Sequence, residues 1–322
     1  LPTAPFPITS VYAAISMPKT KLGLALVGLA IALLAGCAGS GTPALKTASN
    51  FAPQRPATFG GLPLASGQII LSEAPSALNL VIALLPPTYH PFVHAGILDV
   101  DTDGTVYVYE AIGAWGVMLG RRPTDAISGI VQRVPLGDFL RYNDYAEVYD
   151  PPAGVDRASL AAFARQHYAA RTPFDPFFNA YDHRRLYCAE FVALGIESSG
   201  GAPVPLTEAR RNHSLDLTLD WLGIRAQRHY QAADLVAGQS PIAALSTERS
   251  PTQARVHFAV RREIHRRYTE NQRLGHVLTW NGFTLGVRDE LTRFEAASQR
   301  LYHADGAVPT QAQADFRVRE LA

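Results

Sequence analysis

The sequence predicts an α+β fold: a small antiparallel sheet packed against helices, followed by a helical C-terminal extension. Three observations carry this. Stretches rich in β-branched and aromatic residues, "GQII", "FVHAGILDV", "TVYVYEA" and "VQRVPL", cluster in the first half of the chain. Stretches with helical spacing of apolar residues dominate from Asp156 onward. The two kinds are segregated instead of alternating, which distinguishes α+β from a parallel α/β sheet.

The chain has 322 residues, 47% of them hydrophobic, enough for a real core. Lys and Arg number 29 against 28 Asp and Glu. Nucleic acid is therefore not expected as a partner, because backbone binding needs a concentrated basic surface.

In chain order, residues 1–36 read as targeting sequence. Residues 1–16 carry no charge and precede a better start at Met17, so they are expected to be an upstream extension of the reading frame. From Met17, "MPKTKLGLALVGLAIALLAGC" has two lysines, an apolar run from Leu22 to Leu34, and small residues before Cys37. This is the three-part pattern of a secretory signal, and the run is short for a membrane span. Residues 37–62, rich in Gly, Ser, Thr, Ala and Pro, read as a flexible tether. A domain is expected over 63–247 and a helical extension over 248–322.

Within the domain, Gln68 to Leu71 form a short strand and "LNLVIALLPP" a helical turn or buried segment. Asp156 caps a helix reaching Arg171, with Leu160, Phe163, Ala164 and Tyr168 on one face. A second helix runs from Cys188 to Ser198, stopped by Gly200 and Gly201. In the extension, Val256, Val260, Ile264 and Tyr268 form an apolar stripe, while Arg261, Arg262, Arg266 and Arg267 load the other faces. That basic face is either solvated or a contact for anionic lipid headgroups or another envelope polymer.

The chemistry begins at Cys188. Its helix N-terminus offers free N–H groups and a dipole that favour a thiolate and can receive an oxyanion. His94 is the best base: it interrupts an apolar strand and is followed by the small Ala95 and Gly96. The twelve residues "DVDTDGTVYVYE" place Asp99, Asp101, Asp103, Gly104 and Glu110 at calcium-loop positions. Their flanks, however, read as strands and not helices. A three-residue loop, Thr102-Asp103-Gly104, pairs Asp101 with Thr105 and hence Gly96 with Glu110. His94 and Glu110 then share one face as diagonal neighbours, so that Glu110 can orient His94 toward Cys188. A two-residue loop would put them on opposite faces.

These residues resemble a known family. "GQII", "VHAGI", a strand ending in "YEA", "FDPFF" and then "YCAEFV" look like the circularly permuted NlpC-type papain-like hydrolases, the YiiX-like group related to lecithin:retinol acyltransferase. The resemblance covers about residues 64–247, closing on "YQAADLVAGQSPI". It implies a permuted papain-like fold with Cys188 as nucleophile, His94 as base, Glu110 as third polar residue, and Tyr187 as support for the oxyanion site. Two departures weaken the family subtype: Gly67-Gln68 stands where Gly-Asp is usual, and Ala189-Glu190 where Ser-Glu is usual. "LAGC" is similar to the lipobox of bacterial lipoproteins, which implies lipid on Cys37. With Ala38 next, the implied address is the outer membrane, facing the periplasm. Cys188 is then left without a disulfide partner in an oxidising compartment.

The expected function is an envelope cysteine hydrolase acting on peptidoglycan peptides, amino-acid amides or acyl lipids, with transfer to another acceptor also open. Phe174, Phe177, Phe178 and Tyr181 are either ordinary core aromatics or the lining of an apolar pocket. The alternative is a non-catalytic lipoprotein that binds an envelope component, with calcium held at the Asp99–Gly104 turn. No cofactor, no metal-ligand set and no nucleic-acid partner are expected.

Overall fold

A computed structural model describes residues 64–73, 76–115, 127–210, 212–246, 249–271, 273–280, 285–302 and 308–322. The expected signal, the lipidation site at Cys37 and the tether lie outside the described residues. Among the described residues no helix is long and apolar enough to cross a membrane.

The fold is α+β. Its centre is a six-stranded antiparallel sheet in the order β4-β3-β2-β1-β5-β8. The strands are β1 (Ile69–Glu73), β2 (His94–Val100), β3 (Val106–Trp115), β4 (Ile127–Pro135), β5 (Tyr145–Tyr149) and β8 (Ala243–Leu245). Two short pairs lie outside it: β6 (Thr207–Glu208) with β7 (Arg228–His229), and β9 (Leu278–Trp280) with β10 (Leu285–Val287). The described helices are α1 (Ala77–Leu84), α2 (Leu136–Tyr142), α3 (Arg157–Ala169), α4 (Cys188–Ser198), α5 (His213–Leu222), α6 (Pro251–Asn271), α7 (Asp289–Arg300) and α8 (Gln311–Leu321).

Period-two alternation gives the sheet two apolar faces. Ile69, Leu71, Ala95, Ile97 and Tyr109 point to one side and pack against Leu160 and Ala164 of α3 and Phe191, Val192 and Ile196 of α4. Ile70, Leu98 and Val108 point to the other and meet Leu136, Phe139 and Leu140 of α2. Helix starts are capped as their residues dictate: Ser76, Asp156 and Asn212 accept from the N–H groups of Asn79, Ser159 and Leu215. The helices of the C-terminal extension form a third cluster. Val256, Val260, Ile264 and Tyr268 of α6 and Ala314 and Val318 of α8 share it with Leu80, Val81 and Leu84 of α1 and Leu215 and Leu219 of α5.

Most of the arginines on α6 are engaged. Arg266 and Arg267 both pair with Glu263, Arg262 pairs with Asp315 on α8, and Arg261 lies 3.8 Å from Glu73 on β1. These arginines are thus paired in part with acids of the protein itself.

The β2–β3 turn decides where the site residues lie. The Asp101 and Thr105 backbones are joined by a 2.9 Å bond from Asp101 N–H to the Thr105 carbonyl, and the Gly104 N–H returns to the Asp101 carbonyl. Gly104 sits at φ 83, a left-handed conformation that a Cβ would strain. Pairing Val100 with Val106 and Ile97 with Tyr109 puts β2 and β3 in the register that a three-residue loop requires.

Candidate active site

Three elements bring the chemistry together. Strand β2 begins with His94, β3 carries Glu110 in its middle, and α4 begins with Cys188. The register makes His94 and Glu110 diagonal neighbours on one face, and His94 Nε2 is hydrogen-bonded to Glu110 Oε2. The His94 side chain is 16% exposed and that of Glu110 4%. Cys188 Sγ lies 3.7 Å from the Val93 carbonyl, so the thiol sits at the mouth of β2.

The electrostatics favour a charged His94. Burial alone would push the His94 imidazole down, but the charge and hydrogen bond of Cys188 and the carboxylate of Glu110 outweigh it and push the ring up to about 10. Cys188 occupies the first turn of α4, where backbone N–H groups have no intrahelical acceptor. An oxyanion formed at a carbon bonded to Sγ would therefore lie close to free donors.

A second layer holds these groups still. Gln132 on β4 donates from Nε2 to Glu110 Oε1 at 2.8 Å, while the Phe139 ring of α2 stacks on His94 at 6.1 Å between centroids. Tyr187, buried just before the cysteine, receives the Tyr230 N–H on its hydroxyl at 2.6 Å. It thereby ties the segment around Tyr230 to the start of α4. Glu190, fully buried one turn into α4, accepts from the Tyr187 N–H at 3.4 Å and binds His183 Nδ1 at 2.8 Å. Burial pushes its carboxyl up to about 7, with His183 and the Tyr187 N–H opposing.

Cys188 opens on a small pocket of about 30 Å³ whose lining includes Ile82, Phe92, Phe178, Tyr187, His229 and Gln231. Phe178 is held by an acid: Asp175, 3% exposed, accepts the N–H groups of Phe177 and Asn179 at 2.9 and 2.6 Å. The chain there turns so tightly that Phe178 adopts φ 55, and its ring packs 5.0 Å from that of Tyr187. Of the four aromatics singled out in the sequence, Phe178 lines the pocket. Phe174 packs against the core, while Phe177 and Tyr181 are exposed.

The acids of the β2–β3 turn are engaged elsewhere. Both oxygens of Asp99 accept from Arg165 at 2.9 Å, Asp101 pairs with Arg133 at 2.7 Å, and Asp103 accepts the Thr105 N–H at 2.8 Å. Among the described residues no group of three His, Cys, Asp or Glu side chains is placed to hold a metal ion.

Sequence reasoning missed Gln132, Gln231 and His229. The first is visible only once β4 is placed beside β3, and the other two once the chain from β7 onward folds over α4. No local pattern marks them.

No protein-family model matches the chain, and no curated protein matches it. Among solved structures, the chain is similar to the crystal structure of metalloprotein YiiX from Escherichia coli O157:H7. That match has 18% identity, a TM-score of 0.43, and covers 58% of this chain and 99% of that one.

Proposed function

We propose that this protein is a cysteine hydrolase of permuted papain-like architecture that cleaves amide or ester bonds through an acyl-enzyme. The observation that carries the reading is His94 hydrogen-bonded to Glu110, with Cys188 Sγ against the carbonyl of the adjacent Val93, at a helix N-terminus that borders a pocket. A thiol paired with an imidazolium is the activated form of a cysteine nucleophile.

In the proposed reaction the Cys188 thiolate bonds to the acyl carbon, and the carbonyl electron pair moves onto oxygen, where N–H groups at the start of α4 receive it. Collapse of this adduct breaks the bond to the leaving group, which takes its proton from His94. Water then gives a proton to His94 and attacks the thioester, releasing the acid and restoring the thiolate beside the protonated His94. Glu110 holds His94 in place and stabilises its charged form. An alcohol or amine in place of water would make the same centre an acyltransferase. In this reading the enzyme is anchored by lipid on Cys37 to the outer membrane and faces the periplasm, where its substrates are envelope amides or acyl esters.

Intact-mass spectrometry after rapid mixing with p-nitrophenyl esters tests the chemistry. The wild-type protein should gain the mass of one acyl group with release of p-nitrophenol, and Cys188→Ala should gain none. Equal acylation of Cys188→Ala, or none of the wild type, would overturn the reading.

A further inference from the structure

A second pocket, of about 330 Å³, lies in the C-terminal extension between α6 and α7, and none of its described lining residues belongs to the candidate active site. That volume is in the range of small-molecule sites. Its floor is apolar. Ile264 and Tyr268 of α6 and Val277 are buried there, whereas Leu291 and Phe294 of α7 are only half-buried against the same cluster. Their open surface is what a hydrocarbon would take out of water.

The charges bordering this pocket are unevenly satisfied. Glu263 accepts from Arg266 at 2.6 Å and Arg267 at 2.8 Å, and Glu290 lies 3.3 Å from Arg288 and 3.7 Å from Arg293. Each acid therefore already holds two guanidinium groups. Arg273 also lines the pocket, is exposed, and has no acid paired with it among the described residues. Ala322, which borders the same space, forms no ion pair with it among those residues either. The turn that carries Arg273 is fixed: the His276 N–H bonds to the Arg273 carbonyl at 3.1 Å, and Arg288 donates from Nη1 to the Gly275 carbonyl at 2.8 Å and from its backbone N–H to the Val277 carbonyl at 3.1 Å. A guanidinium stays charged throughout the working pH range, and its fork of N–H donors fits a carboxylate.

We infer that this pocket binds a medium-chain alkyl carboxylate, with the hydrocarbon over Leu291 and Phe294 and the carboxylate on Arg273. At about 30 Å³ for each heavy atom, the share of a water molecule in its liquid, the pocket takes roughly eleven heavy atoms, which is the size of decanoate. The head group remains in water beside an exposed cation, so no charge is buried unpaired. An ammonium on the same chain would face a like charge instead. The assignment is independent of any chemistry at Cys188.

The test uses decanoate carrying a diazirine in its chain, photolysed with the full chain, and the label is located by peptide mass spectrometry. Label should fall on peptides containing Ile264 and Tyr268 or Leu291 and Phe294. Decanoate should displace it at concentrations about tenfold below those needed of decylammonium. Reading the label peptide by peptide separates this pocket from the apolar run Leu22 to Leu34, which can hold a hydrocarbon for unrelated reasons. Arg273→Glu, at an exposed position where the fold should be retained by circular dichroism, should weaken labelling of the α6 and α7 peptides about tenfold. Phe294→Ala, which removes part of the floor, should weaken it about as much. Label confined to peptides outside α6 and α7, equal displacement by decanoate and decylammonium, or labelling unchanged in Arg273→Glu would each overturn the assignment.

Discussion

His94 is held by Glu110, and that partner can be removed on its own. Glu110→Gln keeps the shape but takes away the charge that stabilises the imidazolium. The account expects acyl-enzyme formation to slow about a hundredfold while the fold is retained, as measured by stopped-flow release of p-nitrophenol and circular dichroism. Glu190 makes a different prediction. Its buried carboxyl has a folded-state pKa raised to about 7 from 4.5, so ionising it costs more in the folded state than in the unfolded one. Stability is therefore lost as pH rises from about 4.5 to about 7 and is constant above that. Glu190→Gln should remove this slope, so that the difference in unfolding free energy between variant and wild type grows across that window and then levels. A difference that stays flat with pH would show that Glu190 titrates normally. The shared face of His94 and Glu110 was legible in the sequence because one short turn fixes it, and the position of Cys188 because it opens a helix. Gln132 and Gln231 were not, because each reaches the site from a segment whose neighbours are set by tertiary contacts.

At the scale of elements, the β2–β3 hairpin carries the site. The loop length was readable from "DTDG" because Gly104 meets a conformational demand that few other residues meet, and loop length sets register. Gly104→Ala forces a Cβ into the left-handed region, and is expected to cost about 1 kcal/mol in chemical denaturation without loss of thiol reactivity. Shortening the loop by deletion of Asp103 should do the reverse. It moves His94 and Glu110 to opposite faces, so acylation should vanish even where the far-ultraviolet spectrum is preserved. Helices α3 and α4 were equally plain, from an Asp cap in one case and terminal glycines in the other. The pairs β6–β7 and β9–β10 were not, since strands of two or three residues show no periodicity.

At the scale of the molecule, the C-terminal extension is joined to the sheet by a buried ionic clamp. His257 of α6, 1% exposed, lies 3.1 Å from Glu73 of β1 through Nε2 and is bonded to Glu295 of α7 through Nδ1. Burial opposes its charge, but the two carboxylates outweigh that and raise its pKa, while His257 and the nearby Arg261 and Arg249 draw Glu295 down to about 2 against its own burial. The signs differ. The His257 contribution is complete below about pH 6.5 and fades as pH rises through its raised value. That of Glu295 is complete above about 4.5 and fades as pH falls toward 2. Replacing His257 by Phe leaves the buried Glu73 and the partly exposed Glu295 short of a partner and should cost about 3 kcal/mol near neutrality, less at either extreme, by thermal unfolding followed across pH. A constant cost would remove the ionic clamp from the account. The stripe on α6 was legible, but its partners on α1 and α5 were not, because they are distant in sequence.

All of these features converge on whether Cys188 is an activated thiolate. The direct measurement is the rate of iodoacetamide alkylation at the Cys188 peptide against pH, for wild type and His94→Ala. The account predicts a fast rate that persists below about pH 7 and is lost in the variant, as expected of a cysteine nucleophile that depends on its histidine. A slow rate that rises with a titration near about 8.5 in both proteins would contradict it, and would make Cys188 a structural thiol.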